Sequence, residues 1–88
     1  MKAVDVVVSG RVQRVGFRAF TKKNAILLGI KGYVENMNDG RVHAVFEGEE
    51  HQVDKMMEIT RQGPPVSQVR SVKVSEIKIT GRPTFEVR

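Results

Sequence analysis

The stretch from Ser9 to Phe20, SGRVQRVGFRAF, concentrates the groups best suited to chemistry. Arg11, Arg14 and Arg18 bring three guanidinium groups into it. Each is a planar fork that matches phosphate oxygens two at a time. Gly10 and Gly16 permit a tight turn between them. The alternating apolar run from Val4 to Val8 leads in as a strand, and Phe17 to Leu28 leads out as a helix. A strand, a turn and a helix N-terminus in succession leave several backbone N–H groups unpaired and pointing one way. The helix dipole adds partial positive charge at the same place. The chemistry this arrangement suits is the cradling of an oxyanion, phosphate above all. Taken alone, an Arg-rich turn also has the composition of a solvated surface loop, so its meaning depends on what the fold brings beside it.

The remaining pattern predicts how the loop is held. The first strand runs from about Val4 to Gly10 with Val4, Val6 and Val8 on one face. In the helix over 17–28, Phe17, Phe20, Ala25 and Leu28 recur at helical spacing, with Lys22 and Lys23 outward and Gly29 as a stop. Ile30 to Asn36 is a second strand. Asn38-Asp39-Gly40 signals a hairpin into a third, Arg41 to Glu47. A second helix, Glu49 to Gln62, is acidic at its start and buries Val53, Met56, Met57 and Thr60. Gly63-Pro64-Pro65 ends it. A fourth strand spans about Ser71 to Ile79. Its apolar phase slips between Val72/Val74 and Ile77/Ile79, which predicts a bulge near Ser75-Glu76. Thr84 to Val87 is a candidate edge strand.

This order, β-α-β-β-α-β, is the ferredoxin-like, split βαβ plan of the α+β class: an antiparallel sheet with two helices on one face. A right-handed crossover makes the first two long strands parallel with the third between them. Their C-terminal ends then share one sheet edge, about 10 Å apart. Asn36, which closes the second strand, therefore faces the Arg-rich loop. By itself Asn36 reads as a turn residue beside Asp39-Gly40; the topology is what gives it a second meaning.

Composition narrows the setting. The chain of 88 residues holds one domain, and no apolar run approaches the length of a membrane span. With no cysteine, disulfides and thiolate metal sites are excluded. The N-terminus lacks a signal-peptide pattern, and a cytoplasmic monomer is expected. Fifteen Lys+Arg against ten Asp+Glu, a net charge of +5, favours an anionic partner without choosing between nucleic acid and a small phosphate compound.

The choice comes from a resemblance. Gly10-Arg11-Val12-Gln13-Arg14-Val15-Gly16-Phe17-Arg18 resembles the first acylphosphatase signature. Gly32-Tyr33-Val34-Glu35-Asn36 with Asp39-Gly40-Arg41-Val42 resembles the second. Leu28-Gly29-Ile30, Gly63-Pro64-Pro65 and Phe85-Glu86-Val87-Arg88 extend the likeness over essentially the whole chain, in order. The resemblance implies hydrolysis of small acyl phosphates, such as acetyl phosphate or acylated phosphoglycerate, to a carboxylate and inorganic phosphate. It implies that Arg18 binds the phosphoryl group with the loop residues Gln13, Arg14, Val15, Gly16 and Phe17. It further implies that Asn36 holds the attacking water, with no metal, no cofactor and no covalent enzyme intermediate. Arg14 departs from the pattern, because the family usually has glycine there. If the position requires positive φ, the arginine costs roughly 1 kcal/mol or more; an outward-projecting Arg14 would instead add to the anion-attracting field.

The same residues admit two other readings. A relative that binds phosphate or acyl phosphate without turnover would keep the cradle. A nucleic-acid module of the same fold would stack bases on aromatics of the central strands. Here those strands offer valines and Arg41-Val42-His43-Ala44-Val45-Phe46, so neither nucleic acid nor membrane is an expected partner. His43 and His51 are expected at the surface, away from the cradle. Asp5 and Glu35 are given structural roles.

Overall fold

Alternation in the first strand, β1 (Lys2–Arg11), decides which way the sheet faces. Val4, Val6 and Val8 are buried while Asp5 and Val7, between them, are half-buried on the opposite side. The same division continues in β3 (Val42–Gly48), where Val42, Ala44 and Phe46 stand opposite Val8, Val6 and Val4. In β2 (Lys31–Asn36), Val34 meets Ala44 across the ladder. Each fully buried valine is worth about 1.5–3 kcal/mol. A slip of one residue would turn the whole row outward, so the register is strongly specified. The computed structural model describes residues 1–88.

The sheet is completed by β4 (Gln68–Ile77) and β5 (Phe85–Val87), in the order β4-β1-β3-β2-β5. β1 and β2 each run antiparallel to the intervening β3, so they are parallel to one another, as the crossover rule requires. β5 adds a parallel partner to β2, which makes the sheet mixed rather than wholly antiparallel. The C-terminal ends of β1, β2 and β5 consequently share one edge.

Two helices cover one face. α1 (Phe17–Leu27) buries Phe17, Thr21 and Ala25, a stripe at i, i+4 and i+8. Phe20 and Leu28, expected in the core, are half-buried, and Thr21 takes the central place. A threonine fits there because its hydroxyl donates to the Phe17 carbonyl at 2.7 Å, leaving its methyl to pack. The helix ends in a Schellman pair, Gly29 N–H to Ile26 O and Ile30 N–H to Ala25 O. α2 (Glu50–Gln62) buries Val53, Met56, Met57 and Thr60, as its periodicity predicts.

The expected bulge is elsewhere. β4 pairs with β1 without interruption through Ser75 and Glu76, and the register shifts instead between Ser9 and Gly10. A Cβ on Gly10 would lie 2.1 Å from the Gln68 carbonyl oxygen, so only glycine lets the strands approach there. The phase slip in β4 is absorbed by exposure: Val74 and Ile77 lie on an edge strand and remain partly in solvent.

On the face without helices, His43 of β3 is not a solvated histidine. Its Nδ1 lies 2.7 Å from Glu35 Oε2 and its Nε2 lies 2.9 Å from Asp5 Oδ2. A neutral imidazole has one N–H, so two carboxylate neighbours specify the doubly protonated ring. Burial works against that charge, yet the hydrogen bonds and charges of Asp5 and Glu35 outweigh it and raise the His43 pKa. The folded protein thus holds the proton more tightly than the unfolded chain. The stabilisation is complete below the ordinary value of 6.5 and drains away as pH rises through the raised one. Thermal melts at pH 6 and pH 9 should show the wild type losing stability at the higher pH, and His43→Gln should flatten that difference. An equal slope in the variant would remove His43 as its source.

Candidate active site

The loop from Val12 to Gly16 joins β1 to α1, and two of its residues take left-handed backbone. Gly16 has φ 78° and Arg14 has φ 63°, the latter being the single non-glycine residue with positive φ. The position where the resemblance expects glycine does require that conformation. No side chain caps α1 at Gly16, and no acid lies in its first turn. Among main-chain bonds outside the regular elements, the one made here joins the Phe20 N–H to the Gly16 carbonyl at 3.0 Å. The N–H groups between Gln13 and Ala19 are left for a ligand, at the positive end of the helix.

A cleft of about 370 Å³ opens at this point, lined by Val12, Arg14, Gly16, Phe17, Arg18, Ala19, Lys22, Asn36 and Val87. It therefore brings Arg18, from the first turn of α1, to the same space as Asn36, from the end of β2. Arg18 is anchored: its Nη1 donates to the main-chain oxygen of Arg88 at 2.9 Å. This leaves Nε and Nη2, one edge of the fork, for an anion. Asn36 is exposed to the cleft.

The other expected phosphate-binding residues divide. Arg14 and Gly16 line the cleft, and Phe17 packs its ring into the core while its N–H opens the helix. Gln13 and Val15 do not line it. The Gln13 amide donates to the carbonyls of Met37 at 2.7 Å and Arg41 at 2.9 Å, tying the loop to the β2–β3 hairpin. Val15 packs against the core. Both can offer a ligand only their backbone. Arg11, counted with the cationic cluster in the sequence, pairs with Gln68 at the end of β1 and lies outside the cleft lining. Lys22 takes its place, four residues after Arg18 on the same helix face, a spacing visible in the sequence. His51 is exposed on α2 and His43 is on the far face of the sheet, as alternation predicts.

A strand-to-helix loop with one anchored arginine and one asparagine at a shared cleft is an economical site, and the chain's relatives are clear. The acylphosphatase family model matches residues 4–87. The chain belongs to the acylphosphatase family. A protein of Methanocella arvoryzae named acylphosphatase is 70% identical over 88 residues, covering 100% of both chains. One of Archaeoglobus fulgidus with the same name is 48% identical over 99% of this chain and 98% of its own. The crystal structure of acylphosphatase from Bacillus subtilis superposes with a TM-score of 0.97 at 35% identity, covering 100% of this chain and 99% of that one. The activity is hydrolysis of small acyl phosphates, with phosphate as a product. No helix is long and apolar enough to cross a membrane.

Within an acylphosphatase, Arg14 has two opposed effects. Its left-handed backbone costs roughly 1 kcal/mol, but glycine would lose a similar amount through the entropy of the unfolded chain. Its charge meanwhile faces the cleft. We expect Arg14→Gly to leave the melting temperature and kcat near wild type and to raise KM about two- to fourfold at low salt, as for one partly screened charge. A higher kcat/KM in the variant would show instead that backbone strain limits the loop.

Proposed function

We propose that Arg18 and the N–H groups of the 13–18 loop hold the phosphoryl group of an acyl phosphate, and that Asn36 orients the attacking water. The observation that carries this reading is the shared cleft, in which an anchored arginine, a helix N-terminus and the asparagine at the end of β2 meet. Water attacks phosphorus in line with the bridging oxygen. The bond from phosphorus to that oxygen breaks, and its electrons leave with the carboxylate. The two protons of the water are carried off with the phosphate and to solvent. A carboxylate is a good leaving group, so protonation of it is not needed. What remains is to place the water and to stabilise charge on the three equatorial oxygens. The Asn36 amide oxygen can accept from the water, and the Arg18 fork can bind two phosphoryl oxygens.

We read the protein as a cytoplasmic monomer of one domain, its 88 residues packed around one hydrophobic core. Nucleic acid is a poor fit. On the helix-free side the two central strands offer Asp5, Val7, His43 and a buried Val45 rather than stacking aromatics, and the carboxylates of Asp5 and the neighbouring Glu35 would repel phosphate. The test is phosphate release from benzoyl phosphate in EDTA, beside Arg18→Ala. Hydrolysis in wild type that vanishes in the variant supports the assignment. A folded but silent wild type would turn the reading towards binding without turnover.

A further inference from the structure

Glu47 is the one charged side chain among the buried residues, at 2% exposure, and it pairs with Ala3 and Lys31 at the end of the sheet opposite the loop. By alternation it points to the sheet face that no helix covers; the connection between β4 and β5 folds over it. Its Oε1 accepts the N–H groups of Thr80 and Gly81, both at 3.1 Å, and its Oε2 accepts the Thr80 hydroxyl at 2.6 Å. Arg82 Nε stands 3.9 Å from the same carboxylate. Burial opposes ionisation of Glu47, yet these donors and the Arg82 charge hold its pKa below the usual 4.5.

The arm that starts here ends at the active site. The guanidinium of Arg82 lies 4.7 Å from the centre of the Tyr33 ring, and that of Arg88 lies 3.8 Å from it. Between them the arm docks on β2 through Gly32 N–H to Thr84 O and Arg88 N–H to Val34 O, at 3.0 and 2.9 Å. The Arg88 oxygen then accepts Arg18 Nη1. β5 is three residues long with one neighbouring strand, too little pairing to hold itself in place.

We propose that Glu47 is a positioning residue for Arg18, acting through the arm of residues 80–88: it fixes the start of the arm at Thr80 and Gly81, and the end of the arm fixes the guanidinium. This rests on the reading of Arg18 as the phosphoryl ligand. Arginine keeps many rotamers on a long stem, so an anchor at Nη1 sets where its free edge points. Loss of the anchor costs affinity for the anion, because a displacement on the order of 1 Å at a binding group is enough to weaken catalysis and binding many-fold.

The test measures competitive inhibition by inorganic phosphate, kcat and melting temperature for wild type, Glu47→Gln, a chain lacking Arg88, the combination of the two, and Arg18→Ala. Glu47→Gln should raise the phosphate inhibition constant about five- to tenfold while the protein stays folded at the assay temperature, the scale expected for a loosened binding group. Removing Arg88 should do the same, and the combination should be no worse than either, since both act through one link. A folded Glu47→Gln with wild-type phosphate inhibition, beside an inactive Arg18→Ala, overturns the proposal alone. So do effects that multiply in the combination. An Arg18→Ala that keeps wild-type activity overturns the underlying reading of Arg18 instead. If Glu47→Gln does not fold, Tyr33→Leu, which removes the ring under Arg82 and Arg88, takes its place with the same expected outcomes.

Discussion

Arg18→Lys will lower kcat/KM for benzoyl phosphate by about a thousandfold, although it preserves the positive charge. The reason is the division of labour on the guanidinium. Nη1 is already engaged by the Arg88 oxygen at 2.9 Å, and the proposed role gives the opposite edge of the fork to the phosphoryl group. A lysine has one nitrogen on a flexible stem. It can sit on the Arg88 oxygen or on the phosphoryl oxygens, and in either place it offers a point charge where a planar pair of donors is needed. The charge in the cleft is also shared with Arg14 and Lys22, so electrostatic attraction alone survives the substitution; geometry does not. Steady-state kinetics with the melting temperature measured in parallel settle the matter. A folded lysine variant within tenfold of wild type would falsify the bidentate role.

The same residues show what a sequence can and cannot disclose about such a site. The valine rows of β1 and β3, the Schellman stop at Gly29 and the acidic start of α2 each carry a local physical signature, and each was read from sequence with bounds within a few residues. The meeting of Asn36 with the loop was also legible, because crossover handedness leaves only one edge where β1 and β2 both end. The anchoring of Arg18 was not. Its partner is a main-chain oxygen at Arg88, and every residue has such an oxygen, so nothing in the side-chain pattern marks it. The tie made by the Gln13 side chain was hidden for a related reason: its amide donates to two hairpin carbonyls, main-chain acceptors that no side-chain pattern marks, and leaves only its backbone N–H for an anion. The hydrophobic slip in β4 predicts a bulge that is absent there, because an edge strand can simply leave Val74 and Ile77 half in water. The true irregularity was signalled by Gly10, whose role was read only as a turn. Glu47 resembled any strand-end acid until the fold buried it.

Asn36→Ala should separate the two halves of the reaction: kcat falls by about a hundred- to a thousandfold, while inhibition by inorganic phosphate stays within about twofold of wild type. In the proposed site the anion is held by the loop N–H groups and Arg18, none of which depends on Asn36 for its position, since the loop is tied to the hairpin through Gln13 and Arg18 through Arg88. On the proposed mechanism the amide supplies an acceptor at the end of β2 that aligns the water with phosphorus, an interaction realised only as the bond begins to form. Alanine leaves an exposed position at the strand end with no buried group to strand, so the fold should be unaffected. Asn36→Asp sharpens the comparison. It keeps an acceptor of the same size but adds a negative charge to a cleft built for an anion, so phosphate inhibition should weaken there while it holds in alanine. Weak phosphate binding in Asn36→Ala with a normal kcat would make Asn36 part of the cradle instead, and leave the positioning of water to the loop.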